Sequence, residues 1–375
     1  MTKHLLAATL FLAACGSKSD SSKSNPPATG SGPTAQGSGT ATPTPTPTPA
    51  PTKPEIGTWG FDTAGMKPTV APGASFFQYA NGTWLEQTQI PADKSNYGMF
   101  TALADRSEAR TKEIILGAAT AAGPDAKKIA DYYQSFMDEA AIEAAGIAPI
   151  QPDLDRIAAI KDVAGLIAEF GDAARHFRRA PFGTLVAQDD KDPEHYIAVI
   201  GQGGLGLPDR DFYEPKAAQF AKVRDGYKQY LEQLLTMAGV KDAAPRAAAV
   251  YALEEKIAAT HWTKVQNRDP QKTYNKMTLA ELQKAAPGVD WAAWAASVGL
   301  AAAPAFNVNQ PPAIAGIAKL VASQPVDVWK DYLTVHTISA AAPYLSKAFV
   351  DAQFTMYGKV LSGTPENKER WKRGV

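Results

Sequence analysis

The sequence has 375 residues, 38 basic and 38 acidic side chains, and a single cysteine. A formal net charge of zero gives no electrostatic reason to expect a nucleic-acid partner or an anionic-lipid surface. One cysteine also excludes any disulfide within the chain, so an exported form must fold without one.

The first residues read as an export signal. Lys3 supplies a positive charge, and residues 5–12 (LLAATLFL) form a compact apolar run. That run is far below the roughly 20 apolar residues a membrane-spanning helix needs, but it fits the core of a secretory signal. Leu12-Ala13-Ala14-Cys15 then reads as a lipobox. Small residues let a peptidase close on the backbone, and the thiol takes a diacylglycerol. Acylation also accounts for an otherwise unpaired thiol in an exported protein. The expected products are a signal peptide over 1–14 and a membrane lipid on Cys15. In a Gram-negative host Gly16, in place of aspartate, favours the outer membrane, so the body is expected in the periplasm or at the cell surface.

Residues 15–57 are dominated by Ser, Gly, Thr, Pro and Ala, with a Thr-Pro repeat over 42–51. Such a stretch has too little apolar surface to offset the entropy of ordering. It is expected to be a disordered tether, flexible in its Gly/Ser half and stiffer in its Thr-Pro half.

Residues 58–375 form the body, and most of it has helical periodicity. Ile129, Tyr132/Tyr133 and Phe136/Met137 make one stripe. Phe220, Val223, Tyr227, Tyr230/Leu231 and Leu234 make another, closed by Gly239. Val250, Leu253, Ile257 and His261 continue the pattern, as do Trp329, Tyr332/Leu333 and His336, and then Phe349, Gln353/Phe354 and Tyr357. The exception is 184–201, where two β-rich runs flank KDPE and predict a hairpin. The fold class is therefore mainly α with a small β-hairpin insertion. Near the end, Thr364-Pro365-Glu366 is a helix start signal. The helix it predicts is too short and polar to be stable alone, and the chain is expected to stop within a longer structure.

Chemistry is sparse. Five histidines occur, none paired at i, i+4, so no HExxH helix is present, and spacing assembles no four-ligand zinc site. His261 shares an apolar face with Glu254, which predicts a buried histidine hydrogen-bonded to a carboxylate in preference to a shared metal. Gly201-Gln202-Gly203-Gly204-Leu205-Gly206 fits GxGxxG. Dinucleotide binding would need a helix opening directly after it, and Pro208, Asp209 and Pro215 predict an extended loop instead. No GxSxG elbow is present.

Six blocks in order resemble the neprilysin/endothelin-converting-enzyme zinc metallopeptidases. They are FFQYANGTWLEQTQIPADKSNYGMF (76–100), YYQSFMDEAAIEAA (132–145), GQGGLGLPDRDFY (201–213), RDPQKTYNKMTLAELQKAAPGVDW (268–291), WKDYLTVH (329–336) and AFVDAQFTMYGKVLSGTPENKERWKRGV (348–375). The resemblance implies a large helical lobe of a two-lobed enzyme that encloses small to medium peptides. It also implies a zinc cofactor bound by a C-terminal catalytic lobe, whose HExxH and downstream glutamate lie outside this chain. The chain alone is then expected to bind no zinc and to be inactive, with no catalytic or metal-ligating residues of its own. At the position before YGxF some relatives carry a substrate-facing arginine. This sequence has Asn96 there, so a substrate-lining role carries over without a charged clamp. A second reading, of another class, is a non-catalytic surface lipoprotein that uses the lobe to bind peptides or proteins.

Overall fold

A computed structural model describes residues 63–375. The signal peptide, Cys15 and the tether lie outside the described residues. Contacts divide the chain into two compact units, the second running Gly82–Val375. Within the first, α1 (Phe76–Gln87) begins after a turn in which Lys67 N donates to the Tyr79 carbonyl at 2.8 Å.

The second unit is a helical body. Its early helices are α2 (Met99–Ala118), α3 (Pro124–Met137), α4 (Glu139–Ala145), α5 (Gln151–Ala158) and α6 (Val163–Arg175). Helix α3 buries Ala130, Tyr133 and Phe136, while Ile129 and Tyr132 are exposed. The predicted stripe is thus rotated by about one residue. Small Ala130 lets this face approach its neighbours, a signal that apolar counting overlooks.

After α6 come β1 (Phe182–Asp189) and β2 (Asp192–Gln202), antiparallel with Phe182 opposite Gln202. The predicted hairpin is present, but its turn is tighter than KDPE. Asp192, Pro193 and Glu194 belong to β2, and Lys191 N donates to Asp189 Oδ1 at 3.0 Å across the turn. Further on lie α7 (Ala221–Met237), α8 (Ala243–Thr260), β3 (Lys276–Met277), α9 (Leu279–Ala285), α10 (Trp291–Ser297) and β4 (Phe306–Val308). Strand β4 pairs parallel with β2 and antiparallel with β3, so the hairpin is one side of a four-stranded sheet ordered β1-β2-β4-β3.

Helices α11 (Pro311–Ser323), α12 (Val326–Ala341) and α13 (Lys347–Gln353) complete the core. Phe182 packs against Trp291 and Trp294 with ring centroids 5.1 and 5.4 Å apart, and Phe170 against Trp329 at 5.5 Å. These rings are essentially solvent-free, and buried aromatics of this kind supply much of a core's apolar burial. Beyond α13 the chain widens into π-helical turns over Phe354–Leu361, where Phe354 lies across the Cα of Gly358. The 3.6-residue stripe predicted through Tyr357 therefore breaks at this point.

The helix predicted from Thr364-Pro365-Glu366 does not start there. Glu366 N donates instead to the Ala92 carbonyl at 3.1 Å, and only α14 (Arg370–Gly374) is helical. This short helix rests on external partners. Arg370 Nε donates to the Phe136 carbonyl at 2.7 Å, and Lys372 pairs with Asp93 at 3.0 Å. Among the described residues no helix is long and apolar enough to cross a membrane.

Candidate functional site

The loop from Gly203 to Asp209 leaves β2 and lies against buried side chains of α7, α8 and α12, namely Tyr227, Glu254 and Tyr332. It is stitched down through its backbone. Gly206 N donates to Glu254 Oε2 at 3.1 Å, and Leu207 N donates to the Tyr213 hydroxyl at 3.0 Å. The carbonyls of Gly204 and Gly206 accept from Tyr332 and Tyr357 at 2.9 and 3.2 Å. Two glycines follow from close approach. A Cβ on Gly206 would lie 1.6 Å from the Tyr227 hydroxyl oxygen, and Gly204 has φ +88° with Pro181 and Tyr332 against it. The next element is a 3₁₀ turn, Arg210–Tyr213, with Asp209 accepting from Asp211 N. The loop is extended, as its prolines predict, and a 3₁₀ turn follows it where a nucleotide-binding loop would open an α-helix.

Glu254 is the hub beneath this loop. Its carboxylate is fully buried and accepts from Gly206 N, the hydroxyls of Tyr213 and Tyr227, and His336 Nε2 at 2.9 Å. Burial alone would raise its pKa. Hydrogen bonds from His336, Tyr213 and Gly206 outweigh burial and hold it below the ordinary range. Burial holds His336 below its ordinary value although Glu254 favours the cation, so the pair is carboxylate and neutral imidazole. Burial, then the Glu254 charge, pushes Tyr213 and Tyr227 well up, which keeps both as donors.

The histidine predicted to share Glu254 is a different one. Helix α8 ends at Thr260, and His261 is extended (φ −69°, ψ 144°), which carries its ring off the helical face. His261 is buried as expected, but its Nε2 bonds the Gly203 carbonyl at 3.0 Å. His336, seen from sequence only as a member of an apolar stripe, takes the carboxylate. A signal for it existed, since a histidine on an aromatic helix face needs a buried partner.

This donor set does not fit a zinc ion. All four hydrogen bonds to Glu254 come from N–H or O–H groups that occupy its lone pairs, and His261 points to a carbonyl. Among the described residues no three His, Cys, Asp or Glu side chains gather as a metal-binding group. The hub's chemistry is structural. It fixes the floor of a groove.

That groove consists of two adjoining recesses of about 680 and 560 Å³, which share Arg179, Gly203, Gly204 and Tyr357. His336 lines the first and His261 the second. A recess of this size can hold a ligand of several residues' bulk. Its polar groups include the Arg179 guanidinium, the Tyr357 hydroxyl and the Lys264 ammonium, which suit a polar ligand. Asn96 is exposed in the segment between α1 and α2 and lines neither recess.

Residues 72–375 match the sequence pattern of the N-terminal domain of peptidase family M13. The chain belongs to this family. The family is one of zinc metallopeptidases, and the helical fold with its small sheet is that of its structural neighbours. Guinea-pig endothelin-converting enzyme 1 is 28% identical over 324 residues, covering 82% of this chain and 42% of that enzyme. The inhibitor complex of Mycobacterium tuberculosis zinc metalloprotease Zmp1 is 34% identical with a TM-score of 0.80, covering 84% of this chain and 49% of that one. PepO from Lactobacillus rhamnosis shares the fold at a TM-score of 0.66 and 19% identity. The chain spans less than half the length of these relatives.

Proposed function

We propose that this chain is the lipid-anchored N-terminal portion of a zinc metalloendopeptidase that hydrolyses small to medium peptides. The observation carrying the reading is the likeness to Zmp1, a zinc metalloprotease, at 34% identity and a TM-score of 0.80 over 84% of this chain. On this reading the chain supplies a wall of the peptide chamber, with Asn96 facing substrate. Zinc and the hydrolytic residues are supplied by a catalytic lobe beyond it. When bound, zinc would polarise the scissile carbonyl and activate water. The described residues bind and orient peptide. Exposed Met99, Phe100, Leu103 and Ile114 along one side of α2 support a further lobe at that surface, because apolar surface of this kind marks an interaction site. Cys15 would hold the assembly at the membrane.

Two measurements test this. The polypeptide isolated from its native source should cleave short peptides in a chelator-sensitive way, whereas the 375-residue chain alone should not. Cleavage by the chain alone would overturn the division of labour, and a native product that binds peptides without cleaving them would favour the non-catalytic lipoprotein. Radiolabelled fatty acid should enter the protein and be lost in Cys15→Ala.

A further inference from the structure

Helix α6 ends with an unusual sequence, His176-Phe177-Arg178-Arg179. Phe177 N donates to the Ala174 carbonyl and Arg178 N to the Ala173 carbonyl at 2.8 Å. These two bonds form a helix-closing motif whose left-handed residue is usually glycine. Here it is Phe177, with φ +54°. The other non-glycine residue with positive φ among those described is Asp242, a type that tolerates the conformation. A phenylalanine does not, and strain of this kind persists where surrounding structure enforces it, often at binding sites. Phe177 gains no packing in return, since it is 97% exposed, and it lies at the wall of the first recess.

The two arginines that follow differ sharply. Arg178 is consumed by structure. Its Nη1 donates to Glu169 at 2.9 Å and Thr337 at 3.2 Å, and its Nη2 pairs with Asp172. Arg156 closes that network onto the same two carboxylates. Arg179 forms no hydrogen bond or ion pair with any described residue. It remains open to solvent although protein surrounds it on most sides, as befits a residue at the junction of two recesses. The nearby negative charge, Glu254, is saturated by its own four donors. Five N–H donors in a planar fork thus stand unused inside a groove, beside a strained and exposed aromatic ring.

We infer that Arg179 and Phe177 form a subsite for a peptide carboxylate flanked by an apolar side chain. Arg179 takes the carboxylate bidentately, and Phe177 covers the neighbouring apolar group. The carboxylate comes from either a free C-terminus or an acidic side chain, since both present the same two oxygens. This subsite rests on the reading of the chain as a peptide-enclosing lobe.

The test is fluorescence anisotropy with the full 375-residue chain and three labelled hexapeptides. One is neutral, with a leucine and an amidated C-terminus. The second has a free C-terminal carboxylate, and the third is amidated with a glutamate beside the leucine. At least one carboxylate peptide should bind about tenfold tighter than the neutral one, and which one does so identifies the source. Arg179→Met should abolish that preference while leaving the neutral peptide's affinity in place, and Arg179→Lys should restore it only in part. Phe177→Gly should weaken all three peptides yet raise the thermal midpoint, a pairing that a purely structural residue would not give. Equal affinity for all three peptides, a preference that survives Arg179→Met, or no saturable binding would each overturn the subsite. Chelator-sensitive cleavage by the native product, measured separately, would still carry the peptidase reading.

Discussion

Replacing His261 by glutamine should flatten the acid side of the chain's stability profile. The imidazole is 6% exposed. Burial first, then the Arg210 charge, pushes its pKa from 6.5 down to about 4, against the Gly203 hydrogen bond that favours the cation. The unfolded chain therefore takes up this proton before the folded one does, and acid favours unfolding. The contribution to stability is complete above pH 6.5, shrinks as pH falls, and is gone below about 4. Over the whole window it is about 3 kcal/mol, at roughly 1.4 kcal/mol per pKa unit. At pH 5 about 2 kcal/mol of it is already lost. Glutamine keeps an N–H donor for the Gly203 carbonyl but cannot titrate. Urea unfolding followed by tryptophan fluorescence at pH 7.5 and 5.0 gives both free energies. The native chain should lose about 2 kcal/mol more than His261→Gln across that interval, and His336, present in both proteins, cancels in the comparison. Losses that agree within about 0.5 kcal/mol would mean that the ring is not desolvated in the folded chain.

Three further changes probe the hub and the helix end. Glu254→Gln puts an amide NH₂ against two of the four donors now satisfied by the carboxylate. It should cost about 3–5 kcal/mol and expose the Arg210 bond to trypsin; unchanged urea and protease stability would contradict the hub. Gly206→Ala should cost about 2 kcal/mol or more, and Tyr227→Phe should not rescue it, because the ring carbon Cζ is also only 2.3 Å from the new Cβ. Full recovery in the double variant, measured by denaturant midpoint, would be inconsistent with that contact. Phe177→Gly relieves a left-handed phenylalanine and should stabilise the chain by about 0.5–1 kcal/mol, seen as a higher thermal midpoint; a lower one would mean that the ring packs in solution.

The elements were legible wherever one face carries large residues. Helices α7 and α12 follow their stripes because Tyr227, Leu234, Trp329 and Tyr332 are all buried. Prediction failed where small residues or special geometry decide. Ala130 turns α3 by one position, and the π-helical turns after Gln353 abandon the 3.6-residue repeat. Strands β3 and β4 are two and three residues long, too short for an alternating pattern to be read. The buried carboxylate pair was half legible. Sequence gave one glutamate and two histidines on apolar faces. Choosing between His261 and His336 depends on where α8 stops, and helix ends are the least certain feature of a pattern. Arg179 carries no pattern at all, because its significance lies in the partners taken by Arg178.

The glycine-rich loop shows most clearly why a motif must be read with its surroundings. A nucleotide-binding loop works by leaving successive backbone N–H groups free to face phosphate, in front of a helix N-terminus. In this loop two of those N–H groups are committed inward, Gly206 N to Glu254 and Leu207 N to the Tyr213 hydroxyl. Its carbonyls are held as well, that of Gly203 by His261 and that of Gly204 by Tyr332. The same glycines that mimic a phosphate cradle are needed because phenol and proline groups crowd their Cα atoms. The loop is thereby fixed against the core, and of the cations lining the groove Arg178, Arg210 and Lys264 are each engaged by protein groups, which leaves Arg179 for a ligand. A peptide carboxylate fits one unengaged guanidinium, whereas a polyphosphate needs several free donors converging before a helix N-terminus.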